Sequence, residues 1–266
     1  MSPTTPARCI ALTGASGGIG RALALSYAAP GVCLFLAGRN TQRLGAVAHE
    51  CETHGATVEI ALLDVTDNAA AEAWALKADS CAPLDLLIAS AGVNAGPERP
   101  GYPESLAAVR HMMATNFFGQ LAVATPVLER MIERGRGHVA LVASLGAYHG
   151  LAGFPAYCAS KAAIRAYAQG LRDTVGPAGV TVSVVSPGFV DTPMCAQLAA
   201  GGKPFLISPV AAARAIRRGL DAGRGEIAFP PLLVLGLKLL ALLPEPLAGL
   251  FLARFRYTVA ARREET

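Results

Sequence analysis

Leu12-Thr13-Gly14-Ala15-Ser16-Gly17-Gly18-Ile19-Gly20 is the stretch from which the fold is read. It follows the apolar run Cys9-Ile10-Ala11-Leu12 and opens an alanine- and leucine-rich segment with helical spacing, so a first strand turns into a first helix there. Glycine permits the tight turn and close approach of backbone, while the helix N-terminus offers free N–H groups and the positive end of its dipole to a pyrophosphate. Alone, such a turn serves ordinary chain reversal equally well, and its meaning depends on its surroundings.

Outward from this turn, short apolar runs alternate with helical segments. Strands are expected near 8–13, 32–37, 57–63, 84–89, 137–143, 180–185 and 225–229, and helices near 19–28, 41–53, 68–81, 105–133, 156–175 and 209–221. Runs of Val, Ile and Leu without polar alternation suit a parallel sheet covered on both faces. The expected fold is α/β: a single-domain, Rossmann-like doubly wound sheet over residues 1–229, with ligands at the carboxyl ends of its strands. Asp67 is placed to cap the third helix. Thr115-Asn116-Phe117-Phe118-Gly119 interrupts strong helix formers, where an asparagine either bends the helix or simply faces solvent.

The whole chain sets bounds. Its 266 residues suffice for a large core, and 53% hydrophobic against 16% charged residues is more apolar than usual. The excess of 23 basic over 19 acidic residues, net +4, forms no stripe with interleaved aromatics, which argues against nucleic-acid binding. Pro3 and Pro6 break up the N-terminus, so no signal peptide is read and a reducing cytoplasm is expected. The six cysteines show no C-x-x-C pair or metal-ligand spacing, and no metal site is expected; Cys9 and Cys33 are read as small buried hydrophobes.

Three further features carry chemistry. The second strand ends in Gly38-Arg39, where an NAD-selecting domain would offer an acid to the adenosine ribose. Arginine pairs instead with a 2'-phosphate, which favours NADP(H), although a surface arginine is the plain alternative. Tyr157 and Lys161 stand four apart on one helical face, where an ammonium would stabilise a phenolate; an ordinary surface pair has the same spacing. Ser144 ends the fifth strand, facing the same crevice, and could donate to a carbonyl oxygen as it becomes negative. No G-x-S-x-G elbow surrounds it.

Across residues 8–229 the chain resembles the classical short-chain dehydrogenase/reductase family. Thr13, Gly14, Gly18 and Gly20 match its Thr-Gly-x-x-x-Gly-x-Gly motif, Tyr157 and Lys161 its Tyr-x-x-x-Lys motif, and Ser144 its serine thirteen residues earlier. The resemblance implies that Tyr157 is the general acid or base, that Lys161 lowers its pKa and holds the nicotinamide ribose, and that Ser144 polarises the carbonyl. Asn116 matches the asparagine that holds a relay water. The resemblance also implies a cofactor site of Thr13, Gly14, Ser16, Gly18, Ile19, Gly20, Arg39, Asp64, Val65, Ser90, Ala91, Gly92, Asn116, Tyr157, Lys161, Pro187, Gly188, Val190 and Thr192. Within it Asp64 contacts the adenine and Thr192 the carboxamide. Two departures stand out: Ser90-Ala91-Gly92 replaces the usual Asn-Ala-Gly, and Gly17 stands where many NADP-preferring members have a basic residue.

Residues 189–207, with Met194, Cys195, Leu198 and Phe205, are expected to cover a hydrophobic carbonyl or alcohol substrate, or else to pack a lid or partner. Residues 230–266 form an apolar extension with a basic end, including a twelve-residue helical candidate at 232–243, a second short segment at 247–257, and Arg254, Arg256, Arg262 and Arg263. Twelve residues cannot span a bilayer, so peripheral membrane contact competes with packing against the enzyme or a dimer mate. A homo-oligomer follows from the family resemblance. A nucleotide-binding protein without turnover and an NAD(P)-assisted isomerase or epimerase are the remaining alternatives.

Overall fold

The computed structural model describes residues 7–97, 99, 101–199, 202–244, 246, 247, 258 and 259. Seven parallel strands form one sheet: β1 Cys9–Thr13, β2 Cys33–Gly38, β3 Thr57–Leu62, β4 Leu86–Ala89, β5 Gly137–Val142, β6 Val180–Pro187 and β8 Glu226–Phe229, in the order β3-β2-β1-β4-β5-β6-β8. The order reverses direction between β1 and β4, so a crevice opens beyond their carboxyl ends.

Helices cover both faces. On one side α1 Gly18–Tyr27, α2 Thr41–Thr53 and α8 Pro209–Asp221 pack over Ile10, Leu12, Leu34, Leu36 and Ile88. On the other α3 Asn68–Cys81, α5 Gly119–Glu133 and α6 Pro155–Val175 cover Ala11, Phe35, Leu87, Val139, Leu141 and Val182. Alternate residues of the central strands thus enter two separate cores, which is why these strands are apolar throughout. At the edge, β3 leaves Ile60 and Leu62 exposed, so the expected double covering fails there. Cys33 is likewise only half-buried, because it opens β2 at the rim of the sheet, whereas Cys9 is buried. Asp67 does cap α3, its carboxylate accepting from the Ala70 N–H at 3.0 Å.

The one helix expected over 105–133 is divided. α4 Leu106–Met113 and α5 are joined through a π-turn at Ala114–Phe118. The wider turn carries Thr115 and Asn116 inward, and both are buried. α5 begins at Gly119, where a β-carbon would press against Val65.

Beyond β6 lie the short elements α7 Pro193–Ala196 and β7 Leu198–Ala199, and the latter pairs antiparallel with β9 Thr258–Val259. After β8 a cis Phe229–Pro230 bond leads into α9, Pro231–Leu240. The helix expected at 232–243 is therefore two residues shorter in extent and begins one residue earlier. The segment expected at 247–257 lies almost wholly outside the described residues, as do Arg254, Arg256, Arg262 and Arg263. No helix among the described residues is long and apolar enough to cross a membrane.

Candidate active site

The glycine turn is held from both sides. Thr13, fully buried at the end of β1, accepts through Oγ1 from the Ser90 N–H (3.1 Å) and the Ala91 N–H (3.2 Å), tying β1 to the segment after β4. Gly14 has φ +70, and a β-carbon there would lie 3.0 Å from the Ala91 nitrogen. At Gly20 a β-carbon would collide with the Gly14 carbonyl, and at Gly18 with the Thr192 side chain. This is a backbone cradle with no room for side chains, closed by the segment after β6. It fits a dinucleotide pyrophosphate, with the N-terminal N–H groups of α1 directed at the same place.

Ser144 follows β5 and accepts from the Gly146 N–H at 3.1 Å. The end of β5 is pinned by Gln120, whose amide donates to the Val142 carbonyl (2.9 Å) and accepts from the Val142 N–H (3.1 Å). Lys161, buried in α6, donates to that same carbonyl at 3.0 Å, and its Nζ lies 5.8 Å from the Tyr157 ring centre. The α6 N-terminus has no side-chain cap of its own; Glu104 from the loop after β4 accepts from the Ala156 N–H at 3.3 Å.

Burial sets the protonation of the pair. It pushes the Tyr157 phenol up to about 12, with the Ser144 hydroxyl acting in the opposite direction, and pushes the Lys161 ammonium down to about 8. Desolvation leads the shift of the tyrosine, and the Lys161 Nζ is turned to the Val142 carbonyl. At neutral pH the phenol is protonated and the lysine charged.

Asn116 is placed differently from the rest. It is fully buried, its Oδ1 accepting from the Val93 N–H (2.7 Å) and its Nδ2 donating to the Val93 carbonyl (2.9 Å) and to Ser160 Oγ (3.0 Å). Ser160 in turn donates to the Tyr157 carbonyl at 2.7 Å. Asn116 therefore stands behind the site wall, linked to the backbone of Tyr157 rather than to its phenol.

These features surround one cavity of about 890 Å³. Every residue expected to hold the cofactor lines it except Asn116, and Ser144, Tyr157 and Lys161 line it too. At one end Arg39 is half-exposed, its Nη1 4.0 Å from Asp64 Oδ2. The Asp64 carboxyl is held below its usual range chiefly by the Thr66 N–H, which donates to Oδ1 at 2.9 Å. At the other end the walls are Leu145, Leu151, Phe154, Phe189, Met194, Cys195, Leu198 and Phe205, joined by α9. Two buried oxygens on the wall, Asn94 Oδ1 and Thr115 Oγ1, have no partner among the described residues. No group of three or more His, Cys, Asp or Glu among the described residues could hold a metal ion.

Comparison with known proteins agrees with this geometry. The short chain dehydrogenase family matches residues 8–202. The chain belongs to the short-chain dehydrogenase/reductase family. It is 38% identical over 254 residues to an uncharacterized oxidoreductase of Myxococcus xanthus, covering 94% of this chain and 98% of that one. It is 36% identical over 195 residues to the 1-deoxy-11-beta-hydroxypentalenate dehydrogenase of Streptomyces exfoliatus, covering 73% and 71%. A short-chain dehydrogenase from Sphingobium yanoikuyae, solved in complex with NADPH, shares the fold with a TM-score of 0.76 at 23% identity, covering 96% of this chain and 98% of that one.

As a short-chain dehydrogenase/reductase, the protein is an oxidoreductase that uses a nicotinamide cofactor on small-molecule substrates. Several wall residues of this short-chain dehydrogenase were not singled out from sequence. Arg43 and Arg21 stand at the Arg39 end; Arg43 lies four residues beyond Arg39 in α2, a helical spacing that the sequence does contain. Gln120 and Glu104 carry no such signal, because both act on backbone brought near only by folding.

Proposed function

We propose that this protein reduces a hydrophobic carbonyl compound to its secondary or primary alcohol with NADPH, and catalyses the reverse oxidation with NADP. The observation that carries the reading is the convergence of Ser144, Tyr157 and Lys161 on the cavity that the glycine turn closes at its other end. Bound nicotinamide supplies the hydride, and the chain supplies the rest. Tyr157, kept protonated by burial, donates to the carbonyl oxygen; Ser144 donates a second hydrogen bond to that oxygen and holds its developing charge. Lys161 holds positive charge beneath the tyrosine and grips the nicotinamide ribose. Asn116 fixes the Tyr157 backbone through Ser160, and the relay water that the family resemblance implies would lie beside it.

NADP(H) rather than NAD(H) is supported by Arg39 in place of an acid, with Arg43 and Arg21 on the same wall. The NADPH bound by the Sphingobium yanoikuyae enzyme is consistent with this preference. A hydrophobic substrate is supported by the aliphatic and aromatic walls beyond Ser144. We read the enzyme as a cytoplasmic homo-oligomer, for which the exposed Phe118 and Ile132 on or beside α5 offer an apolar face. We read the 230–266 extension as touching a membrane peripherally.

The test follows NADPH and NADH oxidation in parallel against hydrophobic aldehydes and ketones. Tyr157→Phe is expected to retain NADPH binding by fluorescence titration and to lose turnover by about a hundredfold or more. Arg39→Asp is expected to weaken NADPH by about tenfold or more and to spare NADH. Undiminished turnover in Tyr157→Phe refutes the catalytic assignment, and an unchanged cofactor ratio in Arg39→Asp refutes the NADP assignment.

A further inference from the structure

The helix α9 has two apolar sides, and only one of them is used by the cavity. Leu233, Gly236, Leu237 and Leu240 line the cavity, while Leu235 and Leu239 point away from it, 55% and 56% exposed. Leu242 just beyond the helix is 80% exposed, and no residue of α9 is buried. A helix that, apart from Lys238, is apolar towards both the cavity and the outside belongs against protein or lipid on its outer face too. Met194, Phe205 and Leu232 both line the cavity and are exposed, which places them at its mouth. The rim is therefore apolar and continuous with the outer face of α9.

Charge distinguishes between the surfaces that could cover this face. Lys238 is exposed on α9, and the sequence beyond Leu247 carries Arg254, Arg256, Arg262 and Arg263 against Glu264 and Glu265, with the apolar residues Leu250, Phe251, Leu252 and Phe255 among them. A second copy would bring the same net basic sequence rather than an acidic complement to Lys238. Anionic headgroups beside an acyl layer accommodate both the leucines and the cations.

We propose that α9 seats the enzyme on an anionic bilayer, and that its substrate is a membrane-dissolved carbonyl compound with a long apolar chain. The substrate passes from the acyl layer by way of Met194, Phe205 and Leu232 into the cavity. The substrate half of this proposal rests on the carbonyl reductase reading above.

The experiment uses the full chain with NADPH. Flotation is measured with vesicles of phosphatidylcholine alone and of phosphatidylcholine with phosphatidylserine. Reduction is measured for a short water-soluble aldehyde and for a long-chain aldehyde dissolved in the same vesicles. The wild type is expected to float with the phosphatidylserine vesicles, and Leu235→Ser/Leu239→Ser/Leu242→Ser to bind them about tenfold or more weakly. Lys238→Glu should weaken binding by a few fold. The triple variant, checked for folding by its melting curve, should keep its rate on the soluble aldehyde and lose most of its rate on the vesicle-borne one. Wild-type protein that ignores phosphatidylserine vesicles overturns the proposal whatever its turnover. So does vesicle-independent self-association, seen by light scattering, that the triple variant abolishes. If neither aldehyde is reduced, the carbonyl reading fails, while flotation still decides the membrane contact.

Discussion

Lys161→Met separates what the lysine is proposed to do for chemistry from what it costs the fold. The ammonium is buried, receives one hydrogen-bond acceptor from the chain at 3.0 Å, and has its pKa pushed from 10.5 down to about 8 by desolvation. At about 1.4 kcal/mol per pH unit, that displacement corresponds to about 3 kcal/mol of destabilisation while the native state carries the charge. Methionine keeps the apolar stem. The Val142 carbonyl keeps a donor in Gln120 at 2.9 Å, so little is lost beyond a hydrogen bond of about 1 kcal/mol. The cofactor-free variant is therefore expected to be more stable by about 2 kcal/mol near pH 7, a rise in melting temperature of roughly 4 °C or more. The pH dependence has a definite sign. Between about 8 and 10.5 the unfolded wild type still holds the proton that the native lysine has released, so wild-type stability climbs through that window. The variant's advantage should be full below pH 8 and fade towards pH 10.5. Its turnover should fall by about a hundredfold or more. Thermal melts across pH 6–11 (roughly), with parallel NADPH assays, check both halves. A variant that melts below the wild type at neutral pH would refute the burial argument, and one that retains full turnover would refute the role of the charge.

Other perturbations test the scaffold. Thr13→Val leaves the Ser90 and Ala91 N–H groups without their acceptor and should destabilise the protein by about 2–4 kcal/mol, read from the urea midpoint, with weakened NADPH binding. Gly20→Ala should lose cofactor binding by about tenfold or more, because its methyl meets the Gly14 carbonyl; Gly45→Ala, in open space on α2, should instead stabilise by about 0.5–1 kcal/mol. His138, which contacts Ser183 Oγ at 2.7 Å, has its pKa pushed down to about 4 by burial. Between about 4 and 6.5 the unfolded chain binds the proton that the native ring refuses, so stability should fall as pH drops through this window, on the order of 3 kcal/mol in all. His138→Asn should flatten that dependence in urea titrations.

Much of the site was legible because its chemistry is local in sequence. The glycine turn needs residues without β-carbons at adjacent positions, and the tyrosine and lysine need one helical face. Asn116 was visible as a break in a helical pattern, but its contacts with Val93 and Ser160 were not, since they join segments far apart in the chain. The same is true of Gln120 on Val142 and Glu104 on the start of α6. Residues 232–243 read as a short apolar helix with several alternative neighbours; periodicity could not choose among them, because Lys238 is the one charged residue in the segment and marks too little of a polar face.

By itself, the sequence determined the alternation of strands and helices, the parallel apolar sheet, the position of the glycine turn and the spacing of Ser144, Tyr157 and Lys161, which the proposed reading makes catalytic. These depend on spacing, side-chain type and backbone freedom within short windows. Only the tertiary structure decided that Asn116 lies behind the cavity wall, that burial raises the Tyr157 pKa against the pull of the Ser144 hydroxyl, and that α9 forms one side of the cavity. Burial and long-range contact belong to the packed chain, and desolvation follows from which atoms exclude water around a group rather than from which residues adjoin it in sequence.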